Sequence, residues 1–154
     1  MKTLTKFILL TIIISLSHSI QAKEILVPSE YATIQAAIDT ASNGDVIVVS
    51  NGTYLENISF LGKSITVTSM YKITLNRDDI INTIIDGSSP TSPQEGSVVK
   101  FDNGENRDAI LNGFTITGGT GTKTYNVNEN KYFRTGGGIM INNSSPTISN
   151  NIIM

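Results

Sequence analysis

Residues 33–57, TIQAAIDTASNGDVIVVSNGTYLEN, decide the fold that we predict for this chain. Apolar side chains recur in their first part at the three- and four-residue spacings of a helix with one buried face: Ile34, Ala37, Ile38 and Ala41. Asn43-Gly44 follows and supplies a left-handed stop, because glycine readily adopts a positive φ. We expect a short helix here that ends at this turn.

A strand is predicted directly after the turn. Residues 46–49 form a continuous apolar run rich in valine, which is typical of a strand buried on both faces, as in parallel sheets. Asn51-Gly52 ends the run with turn residues. The whole segment predicts a helix that caps the open edge of the first coil in a stack of short parallel strands.

The beginning of the chain has the residue order of a secretory signal peptide. Lys2 and Lys6 precede an apolar run at residues 7–16, and small and polar residues follow as far as Ala22. The run is shorter than the ~20 apolar residues that span a membrane. We predict a signal peptide at 1–22, cleavage near Ala22, and a domain at 23–154 that is secreted, periplasmic or on the cell surface, with no membrane span.

Composition excludes several classes of protein. The chain holds 11 Lys and Arg against 13 Asp and Glu, and loss of Lys2 and Lys6 changes the net charge from −2 to 9 − 13 = −4. This acidic balance excludes a nucleic-acid binder. Cysteine is absent and His18, the one histidine, lies in the predicted leader, so the mature chain has no Ser-His-Asp triad, disulfide or Cys/His zinc site.

A loose repeat follows the opening segment. Residues 110–116 and 148–154 superpose at a spacing of 148 − 110 = 38, which places Asn112 over Asn150. Two interpretations stay open: these asparagines form an amide ladder between stacked strands, or they occupy turns. Under either one they belong to the architecture.

Residues 118–135 interrupt the repeat and form the candidate ligand-binding segment. Long insertions in repeat proteins often lie on a binding face. Its aromatic residues can stack on sugar rings, and its cations can meet carboxylates or sulfates, so the predicted carbohydrate-binding residues are Tyr125, Lys131, Tyr132, Phe133 and Arg134, with Lys123 nearby. The alternative is a mobile loop whose aromatic residues fold back onto the wall of the domain.

Several motifs resemble those of one superfamily: TIQAAID, SNGDVIVVSNGTYLENI, TIIDG, LNGFTITGG and GGGIMINNSSPTISNNII. They are similar to the right-handed parallel β-helix, or pectin-lyase-like, superfamily, and more narrowly to bacterial secreted NosD-like and β-helix repeat proteins. The resemblance covers residues 25–154. It implies an all-β fold, a right-handed parallel β-helix with a short N-terminal capping helix. The last residues stop inside a repeat strand, so we expect an uncapped end and an N-terminal fragment of a longer protein.

The resemblance leaves two functions open, because the superfamily contains both enzymes and noncatalytic surface proteins. The signature blocks of the methylesterase and polygalacturonase branches have no counterpart in this chain. A lyase would bind Ca²⁺ through carboxylates and use an arginine or lysine base. The residue types for it are present without a recognisable arrangement: Asp78, Asp79, Asp86, Asp102, Asp108, Arg77 and Arg107. We interpret Arg77-Asp78-Asp79 as a solvated turn.

We predict a secreted or cell-surface β-helix module with a structural or carbohydrate-contacting role and without a complete catalytic site. A polysaccharide or a cell-surface glycan is the expected partner, and no metal or cofactor is expected. The alternative is the N-terminal part of a polysaccharide lyase that cleaves an acidic polysaccharide such as pectate by calcium-assisted β-elimination.

Overall fold

The structure, a computed structural model, describes residues 21–154, so the predicted signal peptide lies outside it except for Gln21 and Ala22. In this range the elements are β1 (Glu24–Val27), α1 (Ile34–Thr40), β2 (Val46–Val49), β3 (Gly52–Leu55), β4 (Ile58–Ser59), β5 (Thr66–Ser69), α2 (Tyr71–Thr74), α3 (Arg77–Asn82), β6 (Thr83–Asp86), β7 (Glu95–Gly96), β8 (Val99–Phe101), β9 (Ile110–Asn112), β10 (Thr115–Thr117), β11 (Gly121–Asn126), β12 (Lys131–Thr135), β13 (Ile139–Ile141), β14 (Thr147–Ser149) and β15 (Ile152–Ile153). None of these helices is long and apolar enough to cross a membrane.

Three parallel sheets dominate the fold. Sheet 1 has the order β1-β2-β5-β9-β14, sheet 2 the order β3-β6-β10-β15, and sheet 3 the order β4-β8-β13. Neighbouring strands within each sheet run parallel. From β2 onward the chain visits sheets 1, 2 and 3 in turn and then returns to sheet 1, and we call one such passage a circuit. The prediction of a mostly β chain with stacked parallel strands is confirmed.

The core lies between the sheets and consists of side chains in register. In sheet 1, Ile47 pairs with Val67 and Val67 with Leu111, and all three are fully buried. In the interior the rings of Phe60 and Phe101 have centroids 4.3 Å apart. Each such side chain stabilises the fold by about 1.5–3 kcal/mol when it leaves water. Because a strand alternates its side chains between two faces, this register fixes which residues fill the core.

Helix α1 covers the interior at the end where the first strands lie. Thr33 caps its start by accepting a hydrogen bond from the Ala36 N–H at 3.2 Å. The helix lies against β1, β2 and β4, and its predicted apolar stripe is confirmed as buried: Ile34, Ala37, Ile38 and Ala41. The predicted stop is wrong in detail. Ala41 ends the helix in an extended conformation, and Gly44, with φ of 94°, lies in the following turn, which the Asp45 N–H closes onto the Ser42 carbonyl.

Two charged side chains hold the ends of α1. The Glu56 carboxylate accepts hydrogen bonds from the N–H groups of Ile34 and Gln35, both at 2.9 Å, at the positive end of the helix. The Lys63 ammonium donates to three carbonyls at the other end, those of Ile38, Asp39 and Ala41, at 2.7, 2.8 and 2.8 Å. Both ends of the helix thus have partners from the first circuit for backbone groups that a helix leaves free.

Gln35 protects the outer edge of β4, which is the first strand of sheet 3. Its side-chain amide accepts a hydrogen bond from the Ser59 N–H at 2.8 Å and donates to the Ser59 carbonyl at 3.3 Å. The amide thereby makes the two bonds that a neighbouring strand would make. An edge satisfied in this way is less available for pairing with another chain.

The repeat has a different offset from the predicted one. Leu111 pairs with Ile148 and Ile116 with Ile153, so the spacing is 148 − 111 = 37 and not 38. The same offset places Asn150, with φ of 54°, over Gly113, with φ of 86°. The sequence comparison missed this equivalence because it aligned identical residue types. Asparagine and glycine are different residues, but both tolerate the left-handed backbone conformation that these two positions share.

The ladder interpretation holds for both repeated asparagines, and the turn interpretation holds for Asn150 alone, because Asn112 is the last residue of β9. The Asn150 side chain donates to the Asn112 side-chain oxygen at 2.7 Å, and Asn112 donates to the Thr68 hydroxyl at 3.0 Å. A polar ladder therefore links three successive circuits at this corner. Asn150 also occupies a turn, as its positive φ indicates.

The interpretation of Arg77-Asp78-Asp79 as a solvated turn is wrong. These residues begin α3, and Asp79 is buried, with its carboxylate bonded to the Thr74 hydroxyl. Asn76 caps the helix by accepting a hydrogen bond from the Asp78 N–H at 3.0 Å. Together, α2 and α3 form an excursion between β5 and β6, that is, between sheets 1 and 2.

Replacement of Lys63 by methionine tests the cap. We expect Lys63→Met to lower the free energy of unfolding by about 2 kcal/mol, because three carbonyl groups lose a charged donor. Urea unfolding followed by circular dichroism measures this change. Lys72→Met is the matched control, since Lys72 is exposed on α2. Equal stability of the two variants would contradict the role of Lys63.

Candidate functional site

The insertion predicted to bind ligand is a β-hairpin. Strands β11 and β12 pair antiparallel, from Thr122 with Thr135 to Asn126 with Lys131. At its base, β11 also pairs antiparallel with β7, where Gly121 lies opposite Gly96. The segment therefore projects as a regular element from the connection between sheets 2 and 3.

The register of the hairpin divides the predicted site residues between two faces. Tyr125 pairs with Tyr132, and Lys123 pairs with Arg134, so these four side chains share one face, which we call the aromatic face. Phe133 pairs with Thr124 and Lys131 with Asn126, so these residues lie on the opposite face. The structure thus brings together Tyr125, Tyr132 and Arg134 and separates Lys131 and Phe133 from them.

The aromatic face presents two tyrosine rings to solvent. The centroids of Tyr125 and Tyr132 are 5.0 Å apart at an interplanar angle of 54°, and the residues are 45% and 62% exposed. The Lys123 ammonium lies 4.3 Å from the centroid of the Tyr132 ring, within cation–π range. The Tyr125 hydroxyl donates to the Asn130 side chain, which fixes the first ring to the hairpin loop. The two rings contact each other and remain exposed to solvent.

Arg134 anchors the hairpin. Its guanidinium donates to the Gly121 carbonyl at 2.7 Å and to the Pro93 carbonyl at 2.8 Å. These bonds tie β12 to β11 and to the segment before β7. Arg134 therefore has an architectural role in addition to the predicted contact with an anion.

A hydroxyl cluster fixes the base of the hairpin to Ser97, which lies between β7 and β8. The Thr122 hydroxyl donates to the Ser97 hydroxyl at 2.8 Å, and the Thr122 N–H donates to the same oxygen at 3.1 Å. Both residues are buried. Close backbone contact accompanies this cluster, since a Cβ on Gly119 would lie 1.9 Å from the Gly137 carbonyl oxygen. Only glycine at position 119 permits this approach.

A groove of about 610 Å³ lies between the hairpin and β13. Its walls are residues 122–125 of β11 and residues 139–142 at β13, and Thr135 and Gly136 join them at one end. The volume falls in the usual range for small-molecule sites. The sequence prediction missed the groove residues Thr124, Met140 and Asn142. The Gly136–138 run was the signal available, because a short glycine link brings β12 and β13 together.

The acids considered for a lyase do not assemble a metal site. The Asp86 carboxylate accepts a hydrogen bond from the Ser88 N–H at 2.9 Å, and that of Asp102 accepts from the Asn103 side chain at 2.8 Å. Asp79 is bonded to Thr74 within the helical excursion. Across residues 21–154, no group of three or more Asp, Glu, His or Cys side chains could hold a metal ion. These residues do not fit Ca²⁺, and we derive no catalytic step through it.

The most buried carboxylate in a loop, that of Glu105, joins three circuits. It is 2% exposed and accepts hydrogen bonds from the Gly62 N–H at 2.8 Å, the Asn103 N–H at 3.0 Å and the Ser144 hydroxyl at 2.7 Å. Burial acts to raise the pKa of Glu105, but the hydrogen bonds from Ser144, Gly62 and Asn103 outweigh it and lower this pKa. An ionised, fully bonded carboxylate of this kind is a structural residue.

The arrangement can bind a ligand that offers a flat apolar face and polar groups at its rim. The tyrosine rings supply the flat contact, and Lys123 supplies a cation beside them. Comparison with protein-family models, with curated proteins and with solved structures gives no match for this chain. The chemistry of the site is therefore argued from its own geometry.

The pH dependence of stability tests Glu105. Its pKa is lower in the folded chain than the ordinary value of 4.5, so its stabilising effect is present above pH 4.5 and is lost as pH falls through the folded pKa. We expect Glu105→Gln to lower the free energy of unfolding at pH 7 by about 2 kcal/mol. On acidification, the variant should lose less stability than the wild type. Denaturant titrations between pH 3 and 7 measure both effects. Glu129→Gln, an exposed loop position, is the control and should follow the wild type at every pH.

Proposed function

We propose that this chain is a right-handed parallel β-helix of the pectin-lyase-like superfamily, in the group of secreted NosD-like and β-helix repeat proteins. The recurring passage through three parallel sheets supports this architecture. Parallel strands in one sheet are almost always joined by right-handed crossovers, which supports the handedness. The motif resemblance over residues 25–154 supports the group.

The location that we propose is outside the cytoplasm, by export and cleavage after Ala22. The support is the order of residues at the start of the chain: Lys2 and Lys6, the apolar run 7–16, and small and polar residues ending at Ala22. The mature protein begins at Lys23.

The function that we propose is carbohydrate contact through the aromatic face, as a noncatalytic module. The observation that carries this proposal is the exposed Tyr125–Tyr132 pair on a projecting hairpin beside the groove. Exposed, ordered tyrosines lose little conformational entropy on binding and offer apolar rings with a polar rim. The C–H faces of a pyranose ring are apolar and match such a surface.

Lys123 extends the proposal to acidic sugars. Its ammonium is at the face of Tyr132, where a uronate or sulfate group on a stacked sugar would meet it. Arg134 lies on the same face, but its guanidinium already donates hydrogen bonds to two backbone carbonyls. We therefore assign the anion contact chiefly to Lys123.

Removal of one tyrosine tests the function. We expect Tyr132→Ala to weaken the binding of short uronate oligosaccharides by at least about tenfold, because it deletes the more exposed ring and the partner of Lys123. Isothermal titration calorimetry on a panel of uronate and neutral oligosaccharides measures the loss. Phe133→Ala is the matched control, since it deletes a 41% exposed ring on the opposite face.

The same panel separates the module from an enzyme. Equal weakening by Tyr132→Ala and Phe133→Ala, or no binding by the wild type, would refute the aromatic face as the site. Formation of unsaturated uronate ends from polygalacturonate or alginate in the presence of calcium would instead support the lyase alternative. Binding without such products supports the module.

A further inference from the structure

The main-chain nitrogen of Lys23 contacts a buried carboxylate. It donates to one oxygen of Asp45 at 2.8 Å, and the Ser42 N–H donates to the other oxygen at 2.8 Å. Asp45 is only 6% exposed. Lys23 directly precedes β1 and Asp45 directly precedes β2, so the contact continues the register in which Glu24 pairs with Val46.

We infer that Asp45 is a binding site for the α-ammonium group that cleavage after Ala22 creates on Lys23. This inference rests on the processing proposed above. The nitrogen that bonds Asp45 within an intact peptide is the same atom that becomes the new amino terminus. Processing therefore converts a neutral amide donor into a charged donor at a distance that already suits a hydrogen bond.

The chemical change is a hydrolysis. A leader-removing peptidase adds one water to the Ala22–Lys23 peptide bond, which leaves a carboxylate on Ala22 and an amine on Lys23. The amine takes up a proton at neutral pH, since an α-amino group has an ordinary pKa of about 7.7–8.0. The products are the released leader and a mature chain with one new positive charge facing Asp45.

The charges around Asp45 favour this pairing. Hydrogen bonds from the Lys23 and Ser42 N–H groups lower the pKa of Asp45, so the group is an anion at neutral pH. The nearby cations, the side chains of Lys23 and Lys63, act in the same direction. The Lys23 side chain pairs with Glu30 at 3.4 Å, and Lys63 donates to the end of α1, so neither supplies a direct hydrogen bond to Asp45 in its place.

The site would fix the first strand of the fold. Strand β1 is at the edge of sheet 1 and pairs only with β2 in the part of the chain that the structure describes. A charged bond directly before β1 adds stability at the point where this strand is most easily detached. Strand β1 would therefore reach its full stability only after export and cleavage.

Three forms of the chain test the inference: residues 23–154 with a free amine, the same chain acetylated on the Lys23 nitrogen, and residues 21–154. At pH 6 we expect the free-amine form to melt on the order of 4 °C higher than the other two. The difference should vanish in Asp45→Asn and persist in the control Asp108→Asn, an exposed acid. It should also shrink at alkaline pH, because pairing raises the pKa of the amine and its stabilising effect is lost as pH rises through that folded value.

A second readout serves if Asp45→Asn does not fold. The α-amine of the folded wild type should titrate above about 8, the ordinary limit for this group, and should return to that value in urea. Equal melting temperatures for the three forms, or an unshifted amine, would overturn the inference while leaving the proposed export and carbohydrate contact standing. N-terminal sequencing of the exported protein tests the processing separately, and a start other than Lys23 would overturn both the processing and this site.

Discussion

The rest of the structure depends on how the chain treats the unpaired N–H and C=O groups of the outermost strands at the α1 end of the stack. Parallel strands that stack in register leave N–H and C=O groups free on the outermost strands, and these groups would otherwise recruit another chain. Helix α1 covers the apolar interior at this end of the stack with Ile34, Ala37 and Ile38. Gln35 then pairs with the edge of β4, and Glu56 and Lys63 satisfy the ends of the helix itself.

Polar side chains at the corners extend this order along the stack. Glu105 joins loops of three circuits, and Asn112 links Thr68 with Asn150 at another corner. Among the described residues, no buried side-chain nitrogen or oxygen lacks a hydrogen-bond partner. Each circuit is therefore held by packing inside and by charged or amide bonds outside. The rings of Tyr125 and Tyr132 lie on the projecting hairpin and take no part in these corner bonds.

The periodicity of apolar residues predicted those parts of the fold that depend only on the local sequence. The stripe of α1 and the apolar run of β2 were readable because helix spacing and β-branched continuity are local properties. The offset of the repeat could not be read from the sequence, because Gly113 and Asn150 share a backbone conformation but are different residue types. The burial of Asp79 was not predicted for a related reason. It depends on the contact with Thr74 and on the packing of α3 against β6 and β10, and a polar run in the sequence does not reveal such contacts.

Prediction of the candidate site from sequence was limited in the same way, because the pairing of its residues is not a local property. Composition identified the aromatic and cationic residues of the insertion, but which of them act together depends on the pairing register of β11 and β12. A shift of one residue would place Phe133 opposite Tyr125 and move Tyr132 away from it. The four-residue loop 127–130 sets the observed register, with the Asn126 side chain accepting from the Asn128 and Glu129 N–H groups and Asn130 at φ of 51°. The loop asparagines, although they contact no ligand in this proposal, thus decide that two tyrosines share one face.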